Sequence, residues 1–315
     1  SIPIESGVLD IDINRNNTHL VAGREDGQIS VIELARQRQT FVYDFASGPV
    51  SAVKFQPNGQ WISIGTKKGM TRIWRLFAGT PERGPQHGAE IFNLAISPNG
   101  KLMVSASADS TARVSRAETG RQTHVLTHYD WVEDVAFSPD SEWFVTVSDD
   151  RFVRVFDADS GVEKLRMTHG SFVQKVTVSP DGNWILSTGY DRSARLWDAQ
   201  TGALVMEASL EAVGLAPAFS PDGDIIVVGD ESGNTTMWNI SALEARVGFI
   251  QFTEFVNQAK FDPQGRWILV NTDDKNLWQI PVDQWLTIRD GTLGIKTLSF
   301  DELTAQMEVS PNAQW

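Results

Sequence analysis

The chain contains the phrase Phe219-Ser220-Pro221-Asp222-Gly223, and related phrases recur along most of its length. Successive phrases are 41, 41, 41, 41 and 42 residues apart, and their prolines are Pro57, Pro98, Pro139, Pro180, Pro221 and Pro263. A degenerate copy precedes them at residues 13–17, and another begins at Val309. Proline presets the backbone angle of a tight turn, Asp or Asn suits the next position, and Gly closes the turn. Because an alternating apolar run enters each phrase and a β-rich run leaves it, each phrase predicts a hairpin.

A second recurring position follows the turn-closing residue by fifteen residues. It is occupied by Ile32, Trp74, Ser115, Phe156, Trp197 and Trp238. In the last copy Trp278 comes only thirteen residues after Gly265, which predicts a second hairpin that is two residues short. A turn such as residues 198–202 then leads into a fourth strand. Four short strands, here called a to d, in each unit of about 40 residues predict the blades of a β-propeller.

The dipeptide Trp197-Asp198 ends the third strand of one copy, and Trp238-Asn239 and Phe156-Asp157 are near variants. With these dipeptides and the turn phrases, residues 5–280 resemble the WD40-repeat family, in a style similar to its bacterial members. The resemblance implies an all-β, seven-bladed propeller of four-stranded antiparallel blades in residues 1–280, with repeats near residues 5–45, 46–86, 87–127, 128–168, 169–209, 210–251 and 252–288. We expect residues 280–288 to form the last fourth strand and residues 289–315 to begin a further, incomplete repeat. An eight-bladed ring and a part of a tandem propeller are the alternatives.

Composition and charge limit the partners. The chain has 315 residues, no cysteine and a net charge of −13. Without cysteine there is neither a disulfide nor a thiolate ligand, and an acidic chain lacks the basic surface that attracts phosphate backbones or anionic lipids. No run of eighteen apolar residues occurs, so we expect neither nucleic acid nor a membrane as partner. The first residues show no signal-peptide pattern, and they include no initial Met, so we expect a cytoplasmic location and further domains of the same chain.

A Ser, a His and an Asp in the fifth repeat invite a catalytic interpretation. The WD40 resemblance implies instead a structural hydrogen-bond tetrad of His169, Ser187, Asp191 and Trp197. Related sets recur in the fourth repeat (His128, Thr146, Asp150, Phe156) and in the third (His87, Ser105, Asp109). A nucleophile site is not built three times, whereas a buried hydrogen-bond network can be. The three histidines occupy the same place in different blades, so they cannot meet on one zinc ion, and we predict no catalytic, cofactor or metal site.

The resemblance also implies that partners bind at the ends of the blades where the loops d–a and b–c lie. Three positions in each repeat belong to these loops, and in repeats three to five they combine large aromatic side chains with acids. The candidate partner-binding residues are Glu90, Phe92, Trp131, Glu133, Asp149, Phe172, Gln174 and Tyr190. Exposed aromatic residues beside acids favour a basic or amphipathic protein or peptide segment as the partner. The alternative is that Trp131 and Phe172 fold inward and cap strand a.

Three functions remain open at this stage. The first is a non-catalytic binding scaffold or sensor propeller within a larger bacterial signalling protein. The second is an enzyme, a hydrolase or lyase, whose site lies near the central channel of the propeller. The third is a structural unit that assembles with copies of itself. We favour the first, because no sequence motif in the chain performs chemistry.

Overall fold

The computed structural model describes residues 7–16, 18–36, 38–44, 48–76, 81–240, 246–262, 264–273, 277–282 and 296–298. Within these ranges 28 strands form seven antiparallel sheets of four strands, each in chain order. The predicted all-β class with seven four-stranded sheets is therefore confirmed. No helix in the described part is long and apolar enough to cross a membrane.

The described residues divide into two compact units, one of 7–150 and 154–164, the other of 151–153 and 165–298. The first unit contains the first three sheets and most of the fourth. Their strands are β1 (Val8–Ile13), β2 (His19–Arg24), β3 (Gln28–Glu33), β4 (Arg38–Asp44), β5 (Val50–Phe55), β6 (Trp61–Thr66), β7 (Met70–Arg75), β8 (Glu82–Gln86), β9 (Ile91–Ile96), β10 (Leu102–Ser107), β11 (Thr111–Arg116), β12 (Gln122–Thr127), β13 (Val132–Phe137), β14 (Trp143–Ser148), β15 (Phe152–Asp157) and β16 (Glu163–Thr168).

The second unit contains the fifth to seventh sheets. Their strands are β17 (Val173–Val178), β18 (Trp184–Gly189), β19 (Ser193–Asp198), β20 (Leu204–Ser209), β21 (Gly214–Phe219), β22 (Ile225–Asp230), β23 (Asn234–Asn239), β24 (Arg246–Gln251), β25 (Val256–Phe261), β26 (Trp267–Thr272), β27 (Leu277–Pro281) and β28 (Lys296–Leu298).

The serine of the turn phrase stabilises the hairpin between strands a and b. The buried Ser97 hydroxyl accepts a hydrogen bond from the Leu102 N–H at 2.9 Å and donates one to Asn99 Oδ1 at 2.8 Å. Gly100 closes the turn at a φ of +71°, a conformation that glycine adopts without steric cost. The hydroxyls of Ser138, Ser179 and Ser220 likewise accept a hydrogen bond from the N–H of the residue five positions later. This role of the serine was not part of the sequence prediction, which rested on the proline, the acid and the glycine.

Strand a carries a β-bulge at the same place in all seven sheets. In the fourth sheet, Val132 pairs with Ser148 and Asp134 with Val147, so Glu133 is the extra residue. The bulged residues of the seven sheets are Leu9, Ser51, Phe92, Glu133, Gln174, Leu215 and Asn257. A bulge changes the direction of its side chain relative to the strand. Three of the candidate binding residues, Phe92, Glu133 and Gln174, are therefore bulge residues.

The seventh sheet differs from the sequence prediction in two ways. Ile268 pairs with Ile280, as Ile185 pairs with Trp197, so Ile280 and not Trp278 occupies the recurring position of strand c. Ile280 is fully buried and lies fifteen residues after Gly265, so the prediction of a shortened hairpin is wrong. The sequence prediction chose Trp278 because tryptophan occupies this position in three other repeats.

The fourth strand of the seventh sheet is also displaced from its predicted place. It is Lys296–Leu298, which pairs with residues 277–279, whereas Ile280 and Pro281 belong to β27. Part of the segment 289–315, predicted to start a further repeat, thus completes the seventh sheet. Residues 283–295 and 299–315 lie outside the described part of the chain.

We predict that Gly69→Ala destabilises the protein by more than about 1 kcal/mol, as judged by urea unfolding. Gly69 has a φ of +76°, and a Cβ there would lie 2.5 Å from the Ala89 carbonyl oxygen. Ser110 occupies the equivalent b–c turn position at a φ of 62° and already carries a Cβ. Ser110→Ala is therefore the control and should change stability little; equal losses from the two substitutions would contradict this account.

Candidate binding surface

The loop ends of the sheets are held by one backbone hydrogen bond that recurs in all seven. In the fourth sheet the N–H of Asp149 donates to the carbonyl of Trp131 at 3.0 Å, and in the fifth the N–H of Tyr190 donates to Phe172 at 2.8 Å. The other pairs, donor first, are Glu25 and Gly7, Lys67 and Pro49, Ala108 and Glu90, Glu231 and Val213, and Asp273 and Phe255. This bond places the residue before strand a beside the residue after strand b. The candidate residues at these positions therefore lie together at one end of each sheet.

Large aromatic side chains lie in pairs at this end of the sheets, and three of the four rings are nearly half exposed. In the first unit, Phe92 and Trp131 have ring centroids 5.8 Å apart, and Trp131 is 48% exposed. In the second unit, Phe172 and Tyr190 make an edge-to-face contact at 5.9 Å and are 44% and 45% exposed. The Gln174 amide donates to the Tyr190 hydroxyl at 3.4 Å. Each unit thus presents its own aromatic pair to solvent.

The candidate acids differ from one another. Glu90 lies 3.7 Å from the Lys67 ammonium, so its charge has a partner. Glu133 is only 9% exposed, so it offers little surface to a partner. The repeat predicts the position of this bulge residue but not its burial.

Asp149 is the acid whose environment is unusual. One of its oxygens, Oδ1, is buried and has no hydrogen-bond partner among the described residues. Partial burial, together with the nearby charges of Asp130 and Asp150, raises the pKa of Asp149 to about 6. The ionised form of Asp149 is therefore destabilised in the folded chain.

The four residues predicted as a tetrad lie in contact. His169 Nδ1 is 3.1 Å from Asp191 Oδ2, and His169 Nε2 is 2.7 Å from Ser187 Oγ, which also accepts the Trp197 indole N–H at 2.8 Å. Burial alone would raise the pKa of Asp191, but hydrogen bonds from His169 and Ser193 outweigh it and lower that pKa well below its usual range. Because Ser187 is fully buried, its hydroxyl is closed off from substrates, and the geometry suits a structural network.

The two related sets keep only part of this geometry. In the third sheet, His87 contacts Asp109 at 3.0 Å and Ser105 at 2.6 Å, but Ser115 replaces the tryptophan. In the fourth, His128 Nε2 contacts Thr146 at 2.9 Å and its Nδ1 lies 3.2 Å from the Leu126 carbonyl. Both carboxylate oxygens of Asp150 accept bonds from Arg154, at 3.0 and 2.7 Å. The arginine thus draws the carboxylate of the fourth set into an ion pair.

The first strands of the first two sheets, β1 and β5, share a polar cluster that sequence reasoning missed. Lys54 donates to Asp10 at 3.0 Å, Asp10 also accepts the Val53 N–H at 2.9 Å, and Asp12 accepts the Phe55 N–H at 2.7 Å. Burial alone would lower the pKa of Lys54, but Asp10 and Asp12 outweigh it and raise that pKa. These hydrogen bonds join β1 of the first sheet to β5 of the second, so the converging charges here have a structural role. Among the described residues, no group of His, Asp or Glu has the arrangement of a metal site.

Each unit has one further exposed aromatic residue at a loop end that is not among the predicted binding residues. Phe255, in the second unit, occupies the same position as Trp131 and Phe172 and is 49% exposed. Tyr129 is 81% exposed, and the Arg154 guanidinium lies 5.9 Å from its ring centroid. Phe255 could have been found from its place in the repeat. Tyr129 lies outside the three recurring positions, so only the structure shows it.

The sheets and their recurring turns define a protein built from β-propeller blades. Four consecutive stretches, residues 37–75, 82–114, 120–157 and 162–198, match the family described as WD40: WD domain, G-beta repeat. Each stretch starts at strand d of one sheet and ends in strand c of the next, so the sequence repeat is offset by one strand from the blade. The chain belongs to the WD40-repeat family. Comparison with curated proteins found no match.

We predict that Asp191→Ala lowers the free energy of unfolding by about 1–3 kcal/mol, because buried donors lose their acceptor. Glu207→Ala is the control: Glu207 forms a more exposed ion pair with Arg195 at 2.7 Å in the same sheet, and its loss should cost less than about 1 kcal/mol. Urea unfolding of both variants measures the difference. An Asp191→Ala curve that overlays the wild type would contradict a structural role for the tetrad.

A second prediction concerns Asp149→Asn. Because the pKa of Asp149 is raised in the folded chain, its charge costs stability above about pH 6, and the cost disappears below the unfolded value of about 4. The variant should therefore melt higher than the wild type at pH 8, and the difference should shrink as the pH falls towards 4. Thermal melts at several pH values test this, and a variant that melts lower than the wild type at pH 8 would contradict it.

Proposed function

We propose that this chain is a non-catalytic module that binds protein or peptide segments through the loop ends of its blades. WD40 repeats generally mediate protein interactions as scaffolds, and the family is typically non-catalytic. The observation that supports the proposal here is the pairing of aromatic rings at those ends, Phe92 with Trp131 and Phe172 with Tyr190. Trp131, Phe172 and Tyr190 are exposed and Phe92 is half-buried. Large aromatic side chains supply much of the binding energy in protein interfaces.

The chemistry of the partner follows from the acids around these rings. Asp130 and Asp149 adjoin Trp131, and the net charge of the whole chain is −13. We propose a basic or amphipathic segment as the partner. The finer proposal, a scaffold or sensor within a larger bacterial signalling protein, is supported by family resemblance alone.

We predict that Trp131→Ala and Phe172→Ala, singly and combined, reduce capture of partner proteins from a native lysate while leaving the thermal melt nearly unchanged. Truncation of a central aromatic contact typically costs about 2 kcal/mol or more of binding. Quantitative mass spectrometry of the captured proteins measures the loss.

Matched controls are Val125→Ala and Leu204→Ala. These side chains are as exposed as the aromatic ones but lie on the fourth strands β12 and β20. Their variants should capture the same proteins as the wild type. If the aromatic variants instead lose stability and keep their partners per folded molecule, these rings belong to the core and the binding surface lies elsewhere.

A further inference from the structure

One part of the first unit combines an exposed ring with uncompensated acid, and we call it the Trp131 surface. It consists of Phe92, Tyr129, Asp130, Trp131 and Asp149. Trp131 packs against Phe92 on one side, and its backbone carbonyl accepts the Asp149 N–H at 3.0 Å. Its own N–H donates to Asp130 Oδ1 at 2.9 Å. The ring of Trp131, the Asp130 carboxylate and the backbone of Asp149 are therefore held close together.

Among the described residues, the structure shows no ion pair for two of the acids around this surface, Asp130 and Asp149. Asp150 is neutralised by Arg154, and Glu90 lies beside Lys67. Asp149 keeps a buried oxygen without a hydrogen-bond partner among the described residues, and Asp130 adds a second negative charge nearby. Folding gains nothing from this arrangement, since the charge of Asp149 is disfavoured in the folded chain. A cation bound at this surface would offset the negative charge that Asp130 and Asp149 accumulate there.

We propose that the Trp131 surface receives a lysine or arginine side chain of a partner segment, next to an apolar side chain of the same segment. The proposal rests on the function proposed above and names the feature of the partner that this surface selects. A cation lying over the ring of Trp131 gains from the negative face of the ring and from the carboxylates of Asp130 and Asp149. The apolar neighbour packs on Phe92.

The probe is a displayed library of random nine-residue peptides. Peptides that bind the immobilised wild type are kept, and those that also bind the immobilised Trp131→Ala variant are removed. The surviving peptides should be enriched in Lys or Arg beside an apolar residue. The best binder is then synthesised with its Lys or Arg unchanged and with norleucine in that place, which keeps an aliphatic chain and removes the charge. Norleucine should weaken binding to the wild type by about fivefold or more.

Asp149→Asn separates charge recognition from the fold, because it keeps the shape of the side chain and should not destabilise the protein. On this variant the preference for the cation should become clearly smaller but should not vanish, because Asp130 and the ring of Trp131 remain. Asp273→Asn is the matched control: Asp273 is an exposed acid at the equivalent position of the seventh sheet, bonded to the Phe255 carbonyl at 3.0 Å. The preference for the cation should survive there.

The outcomes are distinguishable. Selected peptides without excess Lys or Arg, or a cation preference that Asp149→Asn leaves intact, would overturn this inference while the aromatic surface still binds. If the selected peptides fail to bind Trp131→Ala but none of them prefers the cation, the partner is apolar and the inference is again wrong. If no peptide distinguishes the wild type from Trp131→Ala, the aromatic surface binds nothing, and both this inference and the proposed use of Trp131 are wrong.

Discussion

Within each unit the second strand of a sheet packs against the first strand of the sheet that follows, and the closeness of this contact governs the fold of that unit. Val50 places a methyl group 2.7 Å from where a Cβ on Gly23 would stand, and Ile91 does the same at 2.8 Å over Gly65. In the second unit Val256 lies over Gly229 in the same way. The apolar core therefore consists of layers between neighbouring sheets, as in the cluster that joins Val21 and Ile29 to Val53 and Ile62. Such layers hold each sheet in place and leave the loops at its ends free to vary.

The repeat made most of the fold predictable. A turn that recurs every 41 residues fixes where strands a and b meet, and the alternating apolar residues fix which face is buried. The prediction failed in the seventh sheet, where Ile280 fills the buried place and Trp278 instead donates its indole N–H to Thr272 at 3.0 Å. Residue size was a poor guide there, because strand register and not the largest ring decides which side chain faces the next sheet. The short strand β28 carries too little pattern to be found from sequence.

The sequence predicted the positions of the candidate binding residues but not their burial, ion pairs or hydrogen bonds. The positions of Trp131, Phe172 and Tyr190 follow from the repeat, and the structure leaves all three nearly half exposed. The repeat could not show that Glu133 is nearly buried or that Arg154 neutralises Asp150. Nor could it show that one Asp149 oxygen is buried and has no hydrogen-bond partner among the described residues. These properties depend on contacts between side chains of different strands. Sequence spacing alone does not specify such contacts.

If the protein binds through its loop ends, the aromatic rings there are exposed to solvent in the free protein and become covered when a partner binds. Hydroxyl-radical footprinting with mass spectrometry measures this directly, residue by residue. In the free chain Tyr129, Trp131, Phe172 and Tyr190 should be oxidised quickly, and the buried Trp74 and Phe144 slowly; with a captured partner present, Trp131 and Phe172 should become protected. Slow oxidation of Trp131 and Phe172 in the free chain, or unchanged oxidation in the complex, would contradict the account.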